Sequence, residues 1–120
     1  MNIHIHTIND IKIGEIISEG VVIQNVDDAL DLLGNIYYAD VDRLILHENN
    51  ITPDFFDLKN KMAGEVLQKF SNYRIRIAMV GDFSKFTSQS LKDFIFESNK
   101  GRQVNFLGSV AEALKALSDT

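Results

Sequence analysis

The chain predicts an α/β domain, in which an N-terminal β-hairpin leads into alternating strands and helices built around a mixed sheet. Two patterns and one bound carry that prediction. At the start, Ile3, Ile5 and Thr7 alternate with Asn2, His4 and His6, the period of a half-buried strand. Beyond residue 25, short apolar strand runs alternate with helix-period stripes, as parallel strands joined by helical crossovers require. The bound is size: 120 residues, 45% hydrophobic and 24% charged, make a single domain over 1–120 with enough buried surface to need no metal or disulfide.

Asn9-Asp10 supplies turn chemistry, and Ile11, Ile13 and Ile16 continue into a second strand. Val21 to Gln24 reads as a third, short strand. Asn25 is an N-cap, with Asp27 and Asp28 in the turn where a helix dipole favours negative charge. Val26, Ala29, Leu30 and Leu33 form the stripe of that helix. Arg43 to His47 is a buried strand. Thr52-Pro53 then reads as a cap with proline at the first helical position, opening a helix through Phe70 with Ala63, Val66, Leu67 and Phe70 inward. Gly64 inside it costs about 1 kcal/mol relative to alanine, which close packing on the sheet or on another subunit would offset. Arg74 to Val80 is the strongest strand and ends at Gly81-Asp82. Thr87 or Ser88 opens a helix with Leu91, Phe94 and Ile95 inward, closed by Gly101. Gln103 to Leu107 is the last strand. Ser109 and Glu112 form a capping box, and Val110, Ala113, Leu114 and Leu117 bury the last helix.

Composition excludes several functions. With no cysteine there is no thiolate catalysis, thiolate zinc site or disulfide. A formal charge of -5 argues against nucleic-acid or anionic-membrane binding, which need an excess of Lys and Arg. That charge is uneven: residues 1–60 hold three Lys or Arg against eleven Asp or Glu, and the rest hold nine against six. No signal sequence or bilayer-length apolar run is visible, so a cytoplasmic location is expected.

The order of elements resembles the STAS and SpoIIAA-like fold of anti-sigma-factor antagonists over nearly the whole chain. Arg76-Ile77-Ala78-Met79-Val80-Gly81-Asp82 and the terminal helix starting Val110-Ala111-Glu112-Ala113-Leu114 carry the sequence part of that likeness. Four further segments resemble a bacterial family known as domain of unknown function 4180. They are Phe55 to Leu58, Ala63 to Phe70, Asn72-Tyr73 and Phe94 to Gly101. STAS regulators bind a partner kinase and carry a phosphorylatable serine at the start of the helix after a central strand. The matching loop here, His47 to Asp57, lacks their Asp-Ser-Ser-Gly pattern. The resemblance therefore implies a binding surface near Thr52 more than a phosphorylation switch.

Two function classes follow. The first is a regulatory module that binds a protein partner, or itself as a homodimer, through Thr52, Asp54, Phe56 and Asp57 with the aromatics Phe83, Phe86 and Phe96. Thr52 is better explained as a helix cap than as a phosphoacceptor, and acids in a first turn ordinarily complement the dipole. The second is a small-molecule site or enzyme around His47, Glu48 and Asp82, because ligands of open α/β sheets bind beyond the carboxyl ends of the strands. His4 and His6 share one strand face, but no third metal ligand is evident in sequence, so no metal or cofactor is expected. Glu97, Asn99, Lys100 and Arg102 read as a helix end with basic residues at its negative pole.

Overall fold

The computed structural model describes residues 1–119. Strands β1 (Asn2–Ile8) and β2 (Ile11–Ile17) form the expected hairpin. Its two loop residues, Asn9 and Asp10, both have positive φ, 52° and 65°, which defines the tight turn whose twist matches the strands. Strands β3 (Arg43–His47), β4 (Arg76–Val80) and β5 (Val104–Leu107) follow. The sheet order is β1-β2-β3-β4-β5, antiparallel at the hairpin and parallel elsewhere.

Helices α1 (Val26–Ala39), α2 (Met62–Asn72) and α3 (Gln89–Lys100) are the crossovers. Consecutive strand order means that each crossover steps the same way, so right-handed connections place all three on one face. There Ile16, Leu44, Leu46, Ile77 and Met79 pack against Leu32, Ile36, Val66, Phe70 and Leu91. Helix α4 (Val110–Ser118) covers the other face, with Ala113 and Leu117 on Ile13, Ile45, Ala78 and Val80. Each larger aliphatic or aromatic side chain fully buried here contributes about 1.5–3 kcal/mol relative to exposure. At nine residues, α4 is too short to persist without that packing. Its carbonyl end is also held by guanidinium groups: Arg43 donates to Leu117, Arg76 to Ala116 at 3.2 Å and Arg102 to Asp119 at 2.9 Å. Cations belong at that pole of a helix. Burial first, and then the charges of Arg102 and Arg43, push the Arg76 guanidinium below its ordinary value.

Caps fall where the side-chain chemistry places them. Asn25, Ser88 and Ser109 accept from the N–H groups of Asp28, Leu91 and Glu112. The capping box is half made, because Ser109 Oγ pairs with the Glu112 carboxylate itself at 3.2 Å. Gly101 ends α3 in extended backbone, φ -99°, so the left-handed glycine cap is not used.

Four expectations are corrected. Val21–Gln24 is not a strand of the sheet: β2 pairs directly with β3, leaving no slot, and only Ile23 bridges, to Ile51. No continuous helix runs from Thr52 to Phe70. Thr52 caps a short 3-10 turn, Pro53–Phe56; a second follows at Leu58–Asn60; and α2 starts only at Met62 after Lys61, which has φ 65°. Asp57 and Asn60 side chains accept from the N–H groups of Lys59 and Met62, and these local bonds compete with a helix. Leu30 is exposed while Leu32 and Ile36 are buried, which rotates the α1 stripe from its expected position. Gly64 has no close neighbour where a Cβ would stand, so close packing within the chain does not account for it.

Candidate functional site

The carboxyl ends of β3 and β4 are adjacent, with His47 opposite Val80. His47, Glu48 and Asp82 therefore lie along one rim, but their side chains go to separate partners. Glu48 forms an ion pair with Lys85. Asp82 accepts from the N–H of Ser84 at 3.0 Å and from its hydroxyl. The Ser84 hydroxyl first, and then its N–H, hold the Asp82 carboxyl below the ordinary value. Among the described residues, no hydrogen bond or ion pair joins any two of His47, Glu48 and Asp82.

His47 turns instead toward Glu15. In β2, Glu15 shares the α4 face with Ile13, opposite His4 on one side and Ile45 on the other. His6 and His47 are its diagonal neighbours, within reach of a long side chain. Glu15 Oε1 lies 2.8 Å from His6 Nε2, and Oε2 lies 2.7 Å from His47 Nε2. A carboxylate only accepts, so each imidazole donates through Nε2–H. His4 stands edge-on to His6, ring centroids 4.5 Å apart at 81°. Glu15 is only 8% exposed. Burial alone would raise its carboxyl, but the hydrogen bonds from His47 and His6, reinforced by their charges, bring it below the ordinary glutamate value. Among the described residues, no group of three His, Cys, Asp or Glu is placed to hold a metal ion.

The sequence reading missed Glu15, although a signal was present: it occupies the same strand parity as Ile11, Ile13 and Ile17, and a charge inside an apolar alternation marks a buried, paired group.

The aromatics expected at a partner surface divide. Phe56 is buried, stacked on Phe86 at 4.7 Å and near Phe83 at 6.0 Å, and Phe83 meets Phe106 edge-on at 5.3 Å. Such a cluster stabilises the core beneath the 3-10 turns, so these three rings are not a free surface. Asp54 and Asp57 are exposed and Thr52 is half-buried. Phe96 is 64% exposed, with the Lys100 ammonium 4.6 Å from its ring centre. Asn99 turns inward: its amide both donates to the Phe106 carbonyl, 3.1 Å, and accepts from the Phe106 N–H, 2.7 Å.

The larger exposed aromatic group lies at the opposite end of the sheet, near the amino ends of the parallel strands. Tyr37 and Tyr73, 81% and 64% exposed, border an open cleft of about 730 Å³ with Asp10, Asp40 and Asp42. Tyr38, 88% exposed, stands edge-on to Tyr37.

The fold and this arrangement define a mixed α/β protein with a histidine–glutamate–histidine network centred on a buried carboxylate and a separate tyrosine-edged cleft. The chain belongs to the family described as domain of unknown function 4180, whose model matches residues 8–117. No curated protein matches it, and no solved structure does. No helix among the described residues is long and apolar enough to cross a membrane.

Proposed function

We propose that the chain is a non-catalytic protein-interaction module of STAS-like, regulatory type, which docks a protein partner at its tyrosine-edged end. The exposure of Tyr37 and Tyr73 on one cleft, with exposed Tyr38 edge-on to Tyr37, carries the reading. Tyrosine gives large contact area at low entropic cost and is enriched in binding surfaces. Asp10, Asp40 and Asp42 share the cleft lining with Lys12 and Arg43, a mixed charge that fits a partner carrying both acidic and basic side chains. The hairpin start, consecutive strand order and three helices on one face support the STAS-like assignment. A ligand site at the rim is less well supported, because His47, Glu48 and Asp82 are each occupied by a different partner. The cleft also lies away from the strand ends where small ligands of such sheets bind.

The test is photo-cross-linking in the native cytoplasm, with a benzophenone amino acid placed at Tyr38, at Phe96 or at Asp54. A discrete protein adduct from Tyr38, abolished by Tyr37→Ser with Tyr73→Ser, is the expected result. Adducts only from Phe96 or Asp54 would move the interface, and none from any position would remove the interaction reading.

A further inference from the structure

We propose that the outer edge of β1 pairs with the same edge of a second copy of this chain, antiparallel about a twofold axis at Ile5. Strand β1 ends the sheet, with β2 as its only sheet neighbour among the described residues. Its outward groups follow from the turn. In a two-residue hairpin the residues flanking the loop, here Ile8 and Ile11, form a hydrogen-bonded pair. Antiparallel pairs then alternate along the ladder. Asn2, His4, His6 and Ile8 therefore turn their backbone groups toward β2, whereas Ile3, Ile5 and Thr7 turn N–H and C=O outward.

Natural edges are normally blunted by charge, proline, a bulge or a cover. β1 contains no Lys, Arg, Asp, Glu or Pro, and its pairing with β2 runs unbroken through seven residues. The opposite edge differs: β5 has four residues, and Asn99 occupies both backbone groups of Phe106. That edge is short and capped at Phe106, whereas β1 is long and carries no such cap among the described residues.

The open edge is complementary to itself. Antiparallel pairing about Ile5 sets Ile5 opposite Ile5 and Ile3 opposite Thr7 of the second copy, so all six outward groups on each strand find partners. It also covers Ile5, which is 39% exposed, with an identical side chain. With no Lys, Arg, Asp or Glu, the strand brings no permanent like charges together; His4 falls opposite the second copy's His6, an imidazole already paired with Glu15, so the contact is self-complementary as an isologous one must be. This edge approaches the tyrosine cleft only at the hairpin turn, where Thr7 pairs with the cleft-lining Lys12; substitutions at Ile5 leave the tyrosines in place, so each proposal can fail without the other.

Sedimentation of the full chain from micromolar to submillimolar concentration tests it, with amide exchange on the same samples. A species of twice the 13.6 kDa chain mass is expected, with slow exchange at Ile3, Ile5 and Thr7. Ile5→Pro removes an outward N–H while sparing the β1–β2 ladder, a position where an edge strand accepts proline. Ile5→Lys adds the charge that edges ordinarily carry. Both are expected to weaken the dimer at least tenfold and to free the outward amides, while those of His4 and His6 stay protected, showing an intact hairpin. A wild-type monomer throughout the range would overturn the proposal, including the case in which β1 pairs with another protein. So would a dimer that survives both variants, or one with fast outward amides.

Discussion

Asn50→Asp is expected to destabilise the protein by about 3–5 kcal/mol at neutral pH, as leaving an uncompensated buried charge does. Asn50 is 1% exposed, and its Nδ2 donates to the carbonyls of Ser18 at 2.9 Å and Gly20 at 2.8 Å. Its own carbonyl accepts from Val22 at 2.7 Å and Ile23 at 3.1 Å. One residue thus ties the β2–α1 connection to the end of β3. Aspartate has the same shape but no donor, and sets a carboxylate oxygen against two carbonyl oxygens. Burial and repulsion raise the folded-state pKa of the new acid above its unfolded value. The penalty is therefore full at neutral pH and fades as pH falls through the folded value. Asn50→Ala loses the two bonds without adding charge and is expected to cost about 2 kcal/mol. Urea unfolding of the three proteins at neutral and mildly acidic pH measures both the order and its pH dependence. An aspartate variant as stable as the alanine variant at neutral pH would contradict this account.

Gly81→Ala is expected to cost about 2–3 kcal/mol, the upper range for forcing added volume into a packed site. Gly81 follows β4 and donates to the Leu107 carbonyl at 3.0 Å, which fixes its backbone. A Cβ there would stand 2.5 Å from Glu48 Cβ and 2.9 Å from Glu48 Oε1. The first contact is with the base of the side chain, so rotation of Glu48 does not relieve it, and the turn after β3 must move together with the Lys85 ion pair. Gly64→Ala is the control: nothing lies within 4 Å of its added Cβ. That helical change is expected to stabilise by about 0.5–1 kcal/mol. Thermal or urea unfolding of the two variants should give shifts of opposite sign. A neutral Gly81→Ala would mean that the Glu48 turn is free to relax.

How far these elements were legible depended on whether their cause was local. The hairpin follows from Asn9-Asp10 between alternating strands, and the starts of α1, α3 and α4 follow from Asn25, Ser88 and Ser109. Parallel strands joined by helices then dictate the sheet. Val21-Val22-Ile23 has strand composition, but a strand also needs a free neighbour, and the direct β2–β3 pairing removes it. Between Thr52 and Lys61, Phe55 and Phe56 are buried as a helical stripe would bury them. They reach the core from a 3-10 turn whose side-chain bonds end it early. The rim residues were recognisable by position, since strand ends are local features. Their partners were not: Glu15 meets His47 across thirty-two positions of sequence, through a register that no local pattern encodes. The aromatics near residues 83–86 carry the local pattern of surface rings because their cover, Phe56, lies in another segment.

The histidine–glutamate–histidine network is the part of the molecule most open to direct measurement. Glu15 is held as an ionised carboxylate by His6 and His47, so its folded-state pKa lies below its unfolded value. The stability it contributes is present above the ordinary glutamate pKa, about 4.3, and is lost as pH falls through the lower folded value. Carbon-detected NMR titration of the Glu15 side-chain carboxyl measures this in place, in the wild type and in His6→Gln with His47→Gln. A midpoint below the ordinary glutamate value that rises when both imidazoles are removed is the predicted result; a midpoint at or above it in the wild type, unmoved by the double substitution, would contradict the account.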